Sequence, residues 1–70
     1  MTNINYTLTQ DYIELYKLIK LLDLVDSGAE AKHIIANGFV ERNQKVELRK
    51  RAKIIKNDNL KVGDVYIVVL

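Results

Sequence analysis

The 70-residue sequence has no cysteine, and histidine occurs once, at His33. Without cysteine the chain can form neither a disulfide framework nor a thiolate metal site, which fits a reducing, cytoplasmic environment. A lone histidine cannot make a metal site by itself. We therefore expect no metal and no cofactor.

Long apolar runs are also missing. No segment approaches the roughly 20 consecutive apolar residues that a membrane span needs. The opening residues, MTNINYTLTQ, lack a basic region followed by an apolar run, so we expect no signal peptide. A chain of this length is enough for one small domain, and we expect a single soluble monomer over residues 1–70.

The usual marks of catalysis are not found. The sequence offers no set of serine, histidine and carboxylate, no glycine-rich phosphate loop and no cluster of metal ligands. Asp23 and Asp26 lie three residues apart near an expected helix end, where solubility and capping explain them better than acid–base work. We expect a protein that is not an enzyme.

Positive charge is concentrated in the middle of the chain. The net charge of the whole sequence is +2, but residues 27–56 carry eight lysines and arginines against three glutamates, a net +5. The flanking segments, residues 1–26 and 57–70, are both net negative. A local excess of this kind attracts polyanions even when the whole molecule is nearly neutral.

Hydrophobic periodicity predicts a strand and then two helices. The segment INYTL alternates apolar and polar residues, which is typical of a strand with one buried face. Apolar residues then recur every three or four positions, which predicts an amphipathic helix over residues 13–23. A second helix is predicted over residues 28–37, with Ala31, Ile34 and Ile35 on its apolar stripe.

Both ends of the second helix are marked. Ser27 and Glu30 have the spacing of a capping box, in which Ser27 accepts from the N–H of Glu30 and Glu30 reaches back to the N–H of Ser27. Gly38 supplies the left-handed stop. So short a helix is marginal alone, and we expect it to bury its stripe against the first helix.

After Gly38 the period returns to two. The segments FVER and KVEL flank Asn43-Gln44, which predicts a two-residue hairpin, although glutamine is a poor residue for positive φ. Further short strands follow, and Gly63-Asp64 introduces the last one, VYIVVL. The order of elements predicts an α+β fold, with two short helices packed on a small, mostly antiparallel sheet of four to five strands.

The two-helix unit, the hairpin and the basic run RKRAK, residues 49–53, together resemble the αL-type RNA-binding domain, named after the fourth protein of the small ribosomal subunit. The resemblance is greatest to the small stand-alone members of that superfamily. It covers residues 15–54. Its carriers are Leu18 to Lys20, Val25 to Gly28, Ala31-Lys32, Gly38, Val40, Asn43, Arg49-Lys50-Arg51 and Lys53-Ile54.

This chain departs from the family pattern at two turns. Many relatives have Val-Asn-Gly at the hairpin, whereas this chain has Arg42-Asn43-Gln44. Many relatives also have Gly-Asp soon after the basic run, and here Asn57-Asp58 fills that position. We interpret Arg42, like Lys17, as a solvated charge.

The resemblance implies that the helices and the hairpin form a surface for structured RNA, such as ribosomal or transfer RNA, with a role in ribosome assembly or the handling of ribosomal particles. Basic residues from separate parts of the chain would converge there if the helix pair packs on the sheet. The predicted RNA-binding residues are Lys20, Ser27, Lys32, Asn43, Lys45, Arg49, Lys50, Arg51 and Lys53.

Other interpretations remain open for this pattern. A basic run such as RKRAK is often only a solvated surface. We assign His33 to the surface and Phe39 to the core in preference to roles in stacking. The four tyrosines are scattered, which disfavours the paired aromatic platform of an RRM sheet.

Two rival functions follow from the same residues. The basic surface would also suit an acidic protein partner. A DNA-binding helix-turn-helix would need base-reading side chains on its second helix, where the sequence offers Lys32, His33 and Asn37.

Overall fold

A computed structural model describes residues 2–70 of the chain. It contains two helices and seven short strands. In chain order these are β1 (Thr2–Tyr6), β2 (Ile13–Glu14), α1 (Leu15–Leu21), α2 (Gly28–Ala36), β3 (Val40–Arg42), β4 (Lys45–Val46), β5 (Lys53–Ile54), β6 (Asn59–Val62) and β7 (Val65–Val69).

The strands form two separate sheets. The larger has five strands in the order β1-β7-β6-β3-β4, and the smaller pairs β2 with β5. Strands β1 and β7 run parallel, whereas every other pairing is antiparallel. The predicted α+β class and the mostly antiparallel sheet are confirmed.

One core lies between the helices and the inner face of the five-stranded sheet. Period-two alternation places Leu60, Val62, Ile67 and Val69 on that face, each at most 6% exposed. The helices contribute the predicted stripes, whose buried members are Leu15, Leu18, Ile19, Ala31 and Ile35.

Helix α1 is shorter than the predicted 13–23. Its first two residues, Leu15 and Tyr16, donate their N–H groups to the carbonyls of Ala52 and Lys50, at 3.0 and 3.1 Å. The first N–H groups of a helix have no partner within it, so residues 50–52 satisfy them here. The chain just before the helix therefore continues this pairing as strand β2, which periodicity could not reveal.

Helix α2 has the predicted boundaries to within one residue. The Ser27 hydroxyl accepts from the N–H of Glu30 at 3.1 Å, as predicted. The Glu30 carboxylate accepts from the N–H of Asp26 at 3.3 Å and not from that of Ser27, so the second half of the predicted box is wrong. Gly38 ends the helix with φ +77°, as predicted.

The hairpin between β3 and β4 turns at Asn43 and Gln44, as predicted. Their φ angles are +51° and +74°, the left-handed pair that a tight two-residue hairpin requires. Asn57 also has a positive φ, +76°, so asparagine adopts a left-handed conformation where many αL relatives have glycine. Phe39 is 57% exposed, so its assignment to the core is wrong.

Candidate nucleic-acid interface

Strand β5 and the turn before it place two of the predicted basic residues on the surface. Ile13 pairs with Ile54 and Glu14 with Lys53. Ala52 and Ile54 are buried in the core, whereas Lys53 on β5 and Arg51 in the preceding turn are exposed. The same pairing lays the start of α1 beside the basic run.

Tyr16 joins helix α2 to this basic run. The Lys32 Nζ of α2 lies 4.7 Å from the centroid of the Tyr16 ring, and the Arg51 guanidinium carbon lies 5.9 Å from it. Both distances are within the range of cation–π attraction. Lys32 and Arg51 therefore face the same surface.

Gly28 and Lys32 both lie on the side of α2 that faces Tyr16, because they are one helical turn apart. A Cβ placed on Gly28 would lie 3.9 Å from two ring carbons of Tyr16, an ordinary contact distance, so the start of α2 packs beside the ring without requiring a glycine there.

Three further side chains extend this surface. Arg49, Arg51 and Lys53 line a shallow concavity. Lys45 and Arg49 line a second concavity beside the hairpin. We call Lys32, Lys45, Arg49, Arg51 and Lys53, together with Tyr16, the basic surface. Two other predicted residues, Lys20 and Lys50, are exposed beside it: Lys20 is one turn along α1 from Tyr16, and Lys50 lies in the turn between Arg49 and Arg51.

Arg49 contributes less net charge than its exposure implies. Its Nε and Nη2 donate to the two carboxylate oxygens of Glu47, both at 3.1 Å. The side-chain hydrogen bond from Arg49 holds the pKa of Glu47 below its ordinary value, and the charge of Arg42 acts in the same direction. The Arg49 side chain stays 75% exposed, so it can still meet a ligand.

Arg42 is not the solvated charge that we predicted. Its Nη2 donates to Asp58 Oδ2 at 2.8 Å and to the Lys53 carbonyl at 2.9 Å. The Arg42 side chain is 20% exposed and that of Asp58 is 8% exposed. This pair connects the hairpin to the segment between β5 and β6, which explains why a cation stands where many relatives have valine.

Asp58 is the centre of a small hydrogen-bond network. Its carboxylate accepts from the Ile55 N–H at 2.9 Å, from Arg42, and from the Asn43 amide at 3.0 Å. Burial acts to raise the pKa of Asp58, but these hydrogen bonds and the Arg42 charge outweigh it and keep the pKa below its ordinary value.

Two of the predicted RNA-binding residues also form hydrogen bonds within the protein. Asn43 donates to Asp58, and its side-chain oxygen accepts from the Asn59 N–H at 2.9 Å, so its amide stabilises the turn. Asn43 is nevertheless exposed, and its amide nitrogen has a second hydrogen that can donate to a ligand. The Ser27 oxygen caps α2, next to Gly28 and Tyr16, and its hydroxyl hydrogen remains able to donate.

The tyrosines are less scattered than the sequence implied. Tyr16 belongs to the basic surface, and the Lys53 Nζ lies 5.1 Å from the centroid of the Tyr12 ring. Both tyrosines were missed as site residues because their place depends on the pairing of β2 with β5. Tyr12, Glu14 and Tyr16 are two positions apart along the chain, and this spacing is the one signal in the sequence that could have indicated that both tyrosines lie on the same side.

Metal-ligand clusters and membrane-spanning helices are both lacking in residues 2–70. No group of three or more histidine, cysteine, aspartate or glutamate side chains among them is arranged to hold a metal ion. Neither helix in that range has the length and apolar character to cross a membrane.

Comparison with known proteins identifies a family and two relatives. The family model described as the S4 domain matches residues 6–70. Two relatives are each 48% identical to the chain over 44 residues: "Putative RNA-binding protein YbcJ" of Escherichia coli (strain K12) and "Uncharacterized protein YbcJ" of Shigella flexneri. Each alignment spans 63% of this chain and 63% of the relative.

Proposed function

The chain belongs to the S4 domain family, and on that premise we propose that it is an RNA-binding protein. The name of the Escherichia coli relative supports this proposal. The proposed activity is binding and not catalysis, and the proposed binding unit is a single αL-type domain that acts as a monomer in the cytoplasm.

The observation that carries the proposal is the meeting of Lys32 and Arg51 over Tyr16. These cations come from a helix and from a loop 19 residues further along the chain, and they lie 4.7 and 5.9 Å from one ring centroid. Arginine binds two phosphate oxygens at once and lysine adds a mobile charge, so the pair suits a phosphate backbone.

Structured RNA is the ligand that this surface suits best. The cations are spread over helix α2, the hairpin and the basic run, as contacts to a folded backbone require. Recognition of this kind reads shape and phosphate positions more than sequence. By family resemblance we propose ribosomal or transfer RNA as the ligand, with a role in ribosome assembly or the handling of ribosomal particles.

Counterion release provides a quantitative expectation. About four or five phosphate contacts, each contributing roughly 0.7 to 0.9, give a slope of about −3 to −4.5 for log K against log salt. A much shallower slope would mean that the basic surface does not carry the binding.

Fluorescence polarisation tests the proposal directly. The chain is titrated against a structured RNA, a double-stranded DNA and an acidic polypeptide. We expect tightest binding to RNA, and strong weakening by Lys32→Glu with an unchanged circular dichroism spectrum. Lys61→Glu is the matched control, because Lys61 lies on β6 beside Tyr66, on the outer face of the sheet.

Tightest binding to a ligand other than RNA would favour one of the two rival functions. A preference for the DNA duplex would support the helix-turn-helix interpretation, and a preference for the polypeptide would support an acidic protein partner. Equal indifference to all three, or equal losses from Lys32→Glu and Lys61→Glu, would contradict the proposed function.

A further inference from the structure

Tyr12 presents an aromatic ring at the edge of the basic surface. The residue is 43% exposed, and the Lys53 Nζ lies 5.1 Å from the ring centroid. Lys53 belongs to the cations that would contact phosphate. A nucleotide whose phosphate meets Lys53 therefore brings its base close to the Tyr12 ring.

A concavity beside this ring has a different chemistry from the basic surface. Its volume is about 350 Å³, and it is lined by Gln10, Asp11, Tyr12, Ile13, Glu14 and Lys17. Carboxylates repel phosphate but accept hydrogen bonds from the amino groups of bases. The Gln10 amide can both donate to and accept from a base edge.

The charge of the residues that line the concavity disfavours a phosphate. The Lys17 Nζ lies 3.0 Å from Glu14 Oε1, so this cation is already paired with one of the two carboxylates. Asp11 leaves the lining with a net negative charge. A phosphate would be disfavoured there, whereas an uncharged nucleobase would not.

From this arrangement we propose that the RNA interface includes a subsite for one unpaired nucleobase, which stacks on Tyr12 with its edge toward Gln10 and Asp11. The proposal rests on the RNA binding proposed above and adds a class of ligand to it. Bases in a continuous duplex do not expose their faces, whereas bulged or looped bases do. The preferred RNA is therefore a stem with an unpaired nucleotide.

A series of RNA hairpins tests the subsite. The stem is constant, and a single unpaired adenosine is moved one position at a time along it, with the fully paired stem as reference. Since base–aromatic stacking accounts for roughly a 5- to 100-fold change in affinity, at least one bulged hairpin should bind about that much more tightly than the paired stem. An abasic site at the same bulge should abolish the preference.

Variants at Tyr12 make the assignment specific. Tyr12→Leu should lower affinity for the preferred bulged hairpin toward that for the paired stem, and should weaken binding of the paired stem far less. Tyr12→Phe keeps the ring and should restore the preference. Tyr66→Leu is the matched control, because Tyr66 also has a lysine over its ring, at 5.6 Å, but lies on the outer face of the sheet.

The outcomes separate this inference from the proposed function. If the paired stem and every bulged hairpin bind equally well, or if Tyr12→Leu weakens both kinds of RNA alike, the base subsite is wrong while RNA binding stands. If no hairpin binds, the proposed function itself fails.

Discussion

Arg42 and Arg51 are nine residues apart, and the structure uses them in opposite ways. Arg42 forms an ion pair with Asp58 at 2.8 Å and is largely buried, so it joins the hairpin to the segment before β6. Arg51 is exposed, lies over Tyr16, and forms no ion pair within residues 2–70. Burial beside a carboxylate, and not residue type, decides which arginine stabilises the fold and which is available to a ligand.

The largest expected effect comes from breaking the hydrogen-bond network around Asp58. Asp58→Ala leaves the Arg42 guanidinium, the Asn43 amide and the Ile55 N–H without their acceptor, at a cost of about 3 kcal/mol in the free energy of unfolding. For a domain of this size that lowers Tm by about 15 °C, measurable by circular dichroism.

Asp64→Ala is the control for this change, because Asp64 is exposed on the turn after β6. It should alter the free energy of unfolding by less than about 0.5 kcal/mol. Equal losses from the two variants would show that Asp58 does not organise the region.

The next effect concerns the cations of the basic surface. Replacing Lys32, Arg51 and Lys53 together by glutamine should make the salt slope of RNA binding shallower by about 2 to 3 and lower affinity on the order of 100-fold near physiological salt. Tm should fall by only several degrees, since these side chains form cation–π contacts with Tyr16 and Tyr12 but no ion pair within residues 2–70. An unchanged slope would mean that phosphate is bound elsewhere.

Acid should lower the free energy of unfolding by protonating Glu47 and Asp58. The pKa values of Glu47 and Asp58 lie below their ordinary values in the folded chain, so the unfolded chain binds more protons in acid. The stabilisation is complete above about pH 5, and it is lost as pH falls below about 4 toward the lower folded values.

Urea unfolding at successive pH values measures this dependence. Asp58→Asn should make the decline in the free energy of unfolding less steep, because this variant lacks one carboxyl group whose pKa is lowered in the folded chain. A decline of the same steepness in Asp58→Asn would show that other groups are responsible.

The smallest effect is at the hairpin turn. Gln44 has φ +74°, which glycine adopts without strain, so Gln44→Gly should raise the free energy of unfolding by about 0.5 kcal/mol. Asn43→Gly should lower it, because Asn43 bonds to Asp58 and Asn59. Thermal unfolding of both variants would contradict this account of the turn if the signs were reversed.

Features set by neighbouring residues could be predicted from the sequence. The Ser27 cap, the left-handed Gly38 and the hairpin turn at Asn43 each depend on residues within a few positions. The apolar stripes also predicted which faces of the helices are buried. These features fixed the fold class, and with the family resemblance they placed Lys32 and Arg51 on one proposed surface.

Features that depend on distant pairing could not be predicted in this way. Strand β2 exists because Ile13 and Glu14 pair with residues 41 and 39 positions further along the chain. The roles of Tyr12 and Tyr16 follow from that pairing. Arg42 is likewise explained only by Asp58, 16 residues further along the chain. Periodicity records which side of an element is apolar, but not which element lies opposite.

Backbone amide NMR shifts, followed during titration with a structured RNA hairpin, test whether the cations form one binding surface. We expect the amides of Tyr16, Lys32, Arg51 and Lys53 to shift together with one dissociation constant, while those of Lys61 and Tyr66 stay in place. Shifts confined to the outer face of the sheet, or shifts at Lys32 and Arg51 with different dissociation constants, would contradict a single basic surface.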